Sequence, residues 1–435
     1  MVRSRCLVAV CSILLQCFYS VTSQNSRIDT LKFVHAVWRH GDRTPSRTFS
    51  TDTANNESTW PQGYGELTRK GITQQYDLGK WLRQRYDGFL SRSYSKYEIF
   101  VRSTGYNRTI MSAMATMAGL FVPEGEQIWN EDIRWQPIPV HSRPRESDPM
   151  LWTNRQCPTA EQLYREVVDM PEVKAIEGEN AGFLSMLSEK TGSDRPLRLG
   201  DMWEIYDPLN AVYHHRETHE WPSWVSEEVW SDLQRLYHLY LKYYFFTTEV
   251  QRLRGGLLLS DVLTRMEQKV DGELDERRKF HAFSAHDTTL AALLVTLGIL
   301  PERWPSYASV ILVELHRRDD RNFVEVYFKN GTEDKVYPIE VSNCPRPCTL
   351  IQFSKRSKAL IPTDWEYECG LKVWYELEPK TYLIMVGVLA VVITLLAAIV
   401  GSFVMTALRA EPVAIYELSS PMHPLSSRDT DEGGV

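Results

Sequence analysis

Three stretches of the chain share one plan. Thr30 to Val37 is apolar-rich and gives way to Trp38-Arg39-His40-Gly41. Tyr97 to Val101 runs into Arg102-Ser103-Thr104 and then a Met- and Ala-rich stretch, Ile110 to Leu120, with helical character. Phe280 to Ser284 runs into Ala285-His286-Asp287-Thr288 and another apolar helix, Leu290 to Leu297. Short apolar strands alternating with helices predict a parallel sheet. Glu161 to Leu253 reads as mostly helical: Trp230, Leu233, Leu236, Tyr237, Leu241 and Tyr244 recur at helical spacing, and Gly255-Gly256 is expected to end that run. This segment, roughly residues 150–255, predicts a helical cap over the sheet. Val310 to Leu315 and Phe323 to Phe328, on either side of Arg317 to Arg321, predict a hairpin returning to the sheet edge. The expected fold class is α/β, a parallel-rich central sheet flanked by helices with a smaller helical cap domain.

The two ends follow different patterns. Arg3 and Arg5 precede an uncharged run from Leu7 to Tyr19, and Val21 and Ser23 suit the -3 and -1 positions of a cleavage site. That order predicts a secretory signal peptide over residues 1–23. Near the other end no charged residue lies between Lys380 and Arg409, and the centre is Val, Leu, Ile, Ala and Gly. A span of about 20 apolar residues crosses a bilayer, so residues 381–408 are expected to be a transmembrane helix. A polar tail, 409–435, follows it and excludes a GPI signal. Together the ends predict a single-pass type I membrane protein whose residues 24–380 are lumenal or extracellular.

Composition refines this without changing it. The 435 residues carry a formal charge of -7, with 49 basic against 56 acidic, and 43% are hydrophobic. Such a chain is globular, and it lacks the basic stripe that nucleic-acid backbones require. Cys157, Cys344, Cys348 and Cys369 remain after the leader is removed. Four cysteines permit three pairings. The tight Cys344-Pro-Arg-Pro-Cys348 spacing favours a local bridge, which leaves Cys157 with Cys369. Sequons for N-glycosylation occur at Asn56, Asn107 and Asn330. Asn330 lies between apolar strands as a hairpin acceptor would. Asn107, close to Arg102 and entering a helix, is the weakest of the three.

The candidate chemistry sits where each strand ends. In open α/β sheets, ligands bind beyond the carboxyl ends of strands, at helix N-termini. Arg39, His40 and Arg43, then Arg102, then His286 and Asp287 all fall at such junctions. Three guanidiniums and two imidazoles gathered there would form a pocket for a dianion, since planar guanidinium forks match phosphate oxygens. No Gly-x-Ser-x-Gly elbow, His-Glu-x-x-His motif or thiol-phosphatase Cys-to-Arg spacing competes with this reading. His214, His215 and His219, with Glu217 and Glu220, are read as a solvated face rather than a metal site, and His35 as a packed core residue.

Arg39-His40-Gly41-Asp42-Arg43-Thr44-Pro45 resembles the signature of the histidine acid phosphatases. The resemblance continues through Trp60-Pro61-Gln62-Gly63, Gly65-Glu66-Leu67-Thr68, Arg102-Ser103-Thr104 and Trp135-Gln136-Pro137-Ile138-Pro139-Val140-His141. It runs on through Tyr206-Asp207-Pro208-Leu209 and Ser284-Ala285-His286-Asp287-Thr288-Thr289, covering nearly the whole predicted ectodomain in order. The prostatic and lysosomal group is the most similar. The resemblance implies that His40 is the nucleophile, forming a phosphohistidine, and that Asp287 is the proton donor. It implies that Arg39, Arg43, Arg102 and His286 hold the phosphoryl oxygens, with no metal or other cofactor, and that His141 orients the site. The substrate would be a small-molecule or protein phosphomonoester, the membrane would be met through one span, and a homodimer is expected. Lysosomal membrane and cell surface both suit such a protein. The chain departs from the family after Arg-Ser-Thr, where Gly105-Tyr106-Asn107-Arg108-Thr109 replaces an Asp-rich continuation. It also has Ala211 and Val310 where vertebrate relatives have a third bridge, while its four cysteines match the family's other two pairs. An inositol-polyphosphate phosphatase of the same superfamily, and a catalytically silent receptor or adhesion ectodomain, are the alternatives.

Overall fold

The computed structural model describes residues 27–300, 304–372 and 379–409; the expected leader and nearly all of the tail lie outside these residues. A seven-stranded sheet has the order β3-β2-β4-β1-β5-β6-β7. Its strands are β1 (Leu31–Arg39), β2 (Ile99–Thr104), β3 (His141–Arg143), β4 (Phe280–Ala285), β5 (Val310–Arg318), β6 (Arg321–Lys329) and β7 (Val336–Ile339). β3, β2, β4 and β1 run parallel, whereas β5, β6 and β7 continue antiparallel. The helices used below are α1 (Arg69–Arg85), α2 (Asn107–Leu120), α3 (Pro158–Val168), α4 (Pro171–Glu179), α5 (Ala181–Thr191), α6 (Met202–His214), α7 (Glu227–Tyr244), α8 (Thr248–Asp271) and α9 (Asp287–Thr296).

Alternation along β1 divides the core. Val34, Ala36 and Trp38 join the layer with Leu78 and Leu82 of α1 and Met117 of α2. Phe33 and Val37 face the other way, onto Leu259, Val262 and Met266 of α8 and Leu290 of α9. A strand buried on both faces reads as a continuous apolar run, which is why the pattern marked β1 and β4 so clearly. A third core, built from Leu187, Leu209, Trp230, Leu233 and Leu236, holds α3 to α7 together as the cap.

Two expectations change. The β5–β6 hairpin is not at the sheet edge: β5 pairs with β1 from Leu31 to Trp38, and β7 is the edge. Burial of β5 from Val310 to His316 is the physical reason, since an edge strand would have to expose one flank. Nor do Gly255 and Gly256 end a helix; both lie inside α8. A Cβ on Gly255 would stand 2.4 Å from the Ala292 carbonyl oxygen, and one on Gly256 would stand 2.2 Å from that of Leu360. The pair lets backbones meet, and its cost in helix propensity is offset by that packing.

Cys157 is bonded to Cys369 and Cys344 to Cys348. The first bridge ties the start of α3 to residues 212 positions later, fastening the cap to the end of the folded unit. Asn56 and Asn107 are exposed and Asn330 is half-buried. Ser306 and Ser309 donate to the Asn330 side-chain oxygen. A separate C-terminal helix, Pro379–Arg409, contains an 18-residue window with a mean hydropathy of 3.1 and could cross a membrane by length and composition.

Candidate active site

β1 and β4 are neighbours in parallel register, so their carboxyl ends deliver His40 and His286 to the same edge. The backbone N–H of His40 donates to the Ala285 carbonyl at 3.0 Å, and the two imidazole centroids stand 5.6 Å apart, edge to face. Both residues are buried. Gly41 is required beside them: a Cβ there would lie 2.3 Å from the Gly71 carbonyl oxygen at the start of α1. Any side chain would push the loop off that helix and move His40 with it.

His40 Nδ1 lies 2.8 Å from the Gly41 carbonyl oxygen. A carbonyl only accepts, so Nδ1 carries the proton and Nε2 keeps its lone pair. Burial, then the charges of Arg108, Arg39, His286 and Arg43, hold this imidazole well below its usual range. It is therefore neutral even in acid, as a nitrogen nucleophile must be. His286 is depressed in the same way, first by burial and then by Arg108. The Thr104 hydroxyl stands 3.0 Å from its Nε2.

Each arginine is anchored by one flank. Arg39 donates to the Pro305 carbonyl at 2.8 Å, pairs with Asp287 at 2.9 Å and lies over the Tyr307 ring, 4.2 Å from its centroid. Arg43 forks onto Asp207 of α6 at 2.6 and 3.4 Å. Asp207 thereby couples the cap to the nucleophile loop, and the pair pushes Arg43 further up despite its burial. Arg108, in the first turn of α2, donates to the Gly65 carbonyl and lies over Tyr106. Burial and then Arg43 bring Arg108 down to about 10. The Nε atoms of Arg39, Arg43, Arg102 and Arg108 are buried with no hydrogen-bond partner among the described residues. Buried donors left unpaired are costly, so this edge carries an unmet demand for acceptors. Asp287 is the first residue of α9 and accepts from the Thr288 N–H at 2.8 Å. Burial pushes its carboxyl up, but Arg39, Arg43 and His286 outweigh burial and leave it below the ordinary value.

The structure brings Arg39, His40, Arg43, His286 and Asp287 together. Arg102 is held by Asp148 and Met150, and it is not among the largest charges that depress His40. Arg108 has the position nearest in effect, and sequence reasoning missed it because it falls in the segment that departs from the family. Asp207 and Asp148 were missed as well; Asp207 stood inside a quoted motif, but its role needed the cap to be folded back. His141 is exposed on β3 and stacks on Phe100, 4.8 Å between centroids, with no described contact to His40.

The reading of His214, His215 and His219 as a solvated face is corrected. His215 meets the buried Asp42 carboxylate at 2.6 Å, and Asp42 also accepts from Thr68. His214 packs against Tyr307, and its burial lowers it to about 4. His219 stacks on Trp60 with centroids 3.6 Å apart. His215 and His219 join the cap to the segment after β1 and His214 joins it to the segment before β5, because a polar stretch in sequence becomes a half-buried seam once two layers close on it.

The family described as "Histidine phosphatase superfamily (branch 2)" matches residues 30–329. The chain is 37% identical over 375 residues to a putative acid phosphatase 5 of Caenorhabditis elegans, covering 86% of each. It is 39% identical over 351 residues to the lysosomal acid phosphatase of Homo sapiens, covering 80% of this chain and 82% of that one. Among solved structures it is similar to Hafnia alvei phytase in complex with tartrate, with a TM-score of 0.61, 14% identity, and coverage of 78% of this chain and 98% of that one. At that identity the likeness shows the shared fold alone.

Proposed function

The chain belongs to branch 2 of the histidine phosphatase superfamily and to its acid phosphatases, and we propose that it hydrolyses phosphate monoesters at His40 with Asp287 as proton donor. The observation that carries this reading is a neutral, Nδ1-tethered imidazole facing a buried group of cations whose Nε–H donors are unpaired. A phosphate dianion meets that demand, and Arg39, Arg43, Arg108 and His286 are the residues that would hold its oxygens, Arg102 being engaged by Asp148.

The steps follow from the atoms. His40 Nε2 attacks phosphorus, forming the N–P bond as the P–O bond to the alcohol breaks, and Asp287 gives its proton to the departing oxygen. Water then attacks phosphorus and returns a proton to Asp287, the N–P electron pair goes back to Nε2, and inorganic phosphate leaves. In the free enzyme the Arg39 pair keeps Asp287 ionised. Substrate reverses this: the phosphoryl group draws Arg39 away and adds negative charge beside the carboxylate, so the acid form arises in the complex. An acidic rate optimum is expected, because below neutrality protons are available to fill that raised site.

We further infer a type I membrane protein with the phosphatase domain on the lumenal or outer side. The apolar helix Lys380–Arg409 and two disulfides, which suit an oxidising compartment, support this. Protease treatment of intact vesicles should spare the phosphatase domain and trim the tail. For the chemistry, brief exposure to 32P-labelled phosphomonoester followed by alkaline quench should leave acid-labile label on the peptide containing His40. Label on any other residue, or turnover by His40→Ala at the wild-type rate, would overturn the assignment.

A further inference from the structure

We propose that His35, His281 and Asp261 form a zinc site buried between the sheet and α8, remote from the phosphatase centre. His35 and His281 are direct register partners on β1 and β4, and both point to the layer under α8, where Asp261 projects. One ligand atom from each of the three lies within 4.8 Å of the other two. His35 is fully buried, and neither of its ring nitrogens has a hydrogen-bond partner among the described residues. The Nδ1 of His281, which is 4% exposed, has none either.

Burying three imidazole nitrogens without partners is costly, and an apolar pair of similar volume would pack against Phe33, Phe100 and Phe283 without that cost. A metal ion removes part of that cost by accepting one lone pair from each imidazole. Two neutral imidazoles and one carboxylate make a donor set suited to Zn2+, with a fourth position left open. Ligand atoms around tetrahedral zinc stand ~3.3 Å apart, so closing the present triangle takes side-chain movements on the order of 1 Å. Asp261 is bound by Arg265 through both oxygens, at 2.9 Å each. A carboxylate oxygen has two lone pairs, so Asp261 can hold the guanidinium on its outer side and a cation on its inner side.

The position also defines what such an ion would do. His35 and His281 each precede a site histidine by five residues, which along a strand is ~16 Å. Zinc there would touch no substrate; it would clamp β1, β4 and α8 behind the reaction edge.

The full chain in detergent, stripped with EDTA and dialysed against ZnCl2, should retain about one equivalent of zinc and show a rise in Tm of several degrees. The double variant His35→Val/His281→Val should retain none and lose the zinc-dependent shift, with p-nitrophenyl phosphate turnover unchanged. Failure of wild type to retain zinc, or retention by the double variant equal to wild type, overturns the proposal. Should the double variant not fold, Co2+ loading of wild type decides: visible bands of a four-coordinate ion support the site, and their absence overturns it.

Discussion

Two buried clusters of charge lie at opposite ends of β1, and they are built on opposite principles. Near its start, Glu314 of β5 accepts from Arg27, Arg85, Tyr86 and His316 at 2.7–3.2 Å. Near its end, Arg39, Arg43 and Arg108 gather around His40 with unpaired Nε atoms. In the first cluster the chain supplies the anion, and every cation finds it. In the second the Nε–H donors stay unpaired, and burial together with neighbouring like charge lowers Arg108 and His286. A closed network stabilises the fold; an open one is held apart by packing so that a substrate can close it.

If that contrast is sound, damage at the two ends must show in different measurements. The largest expected effect is at the open end. His40→Ala should lower phosphomonoester turnover by about 10⁴-fold, with the fold kept, because it removes the nitrogen that attacks phosphorus while the neighbouring His286 is tied to Thr104 through its Nε2. Steady-state rates and circular dichroism on the same preparation check both halves. Asp287→Asn comes next, at about 10³-fold for alkyl phosphates and visibly less for p-nitrophenyl phosphate, whose leaving group needs little help from an acid. Equal losses on the two substrates would remove Asp287 from the role of donor.

The closed end should respond in stability. Burial opposes ionisation of Glu314, but the His316 hydrogen bond and the charges of Arg85 and Arg27 win and bring it down to about 2. A depressed carboxyl stabilises the fold above its unfolded value and loses that contribution as pH falls through the folded one. Glu314→Gln should therefore cost on the order of 3 kcal/mol near pH 6, with the difference from wild type shrinking as pH falls below ~4.5 towards ~2. Urea unfolding at several pH values reads this directly. Loss of turnover without loss of stability would erase the distinction between the clusters. The smallest effect is the sharpest test of the open end. Arg108→Leu should weaken inhibition by inorganic phosphate by about tenfold and leave urea stability within about 1 kcal/mol of wild type, since it removes a cation with no carboxylate of its own.

Legibility followed the same division. The strands bearing His40 and His286 were readable because both faces of β1 and β4 are buried, which leaves an unbroken apolar run ending in polar residues. Arg39, Arg43 and Asp287 could be named because each adjoins such an ending. The helix containing Gly255 and Gly256 was misread because glycine marks a chain break by itself and a close contact only when Ala292 and Leu360 are opposite. His214, His215 and His219 looked solvated because their partners, Tyr307, Asp42 and Trp60, are far away along the chain.

By itself, the order of residues determined the alternation of strand and helix, the apolar C-terminal stretch and which imidazoles and guanidiniums stand at strand ends, since all of these are local and periodic. Tertiary structure alone decided which cations face one another, that Asp207 reaches across from the cap to Arg43, and that Arg108 rather than Arg102 presses on His40. Charge acts through space and through burial, and neither quantity exists until distant segments have packed.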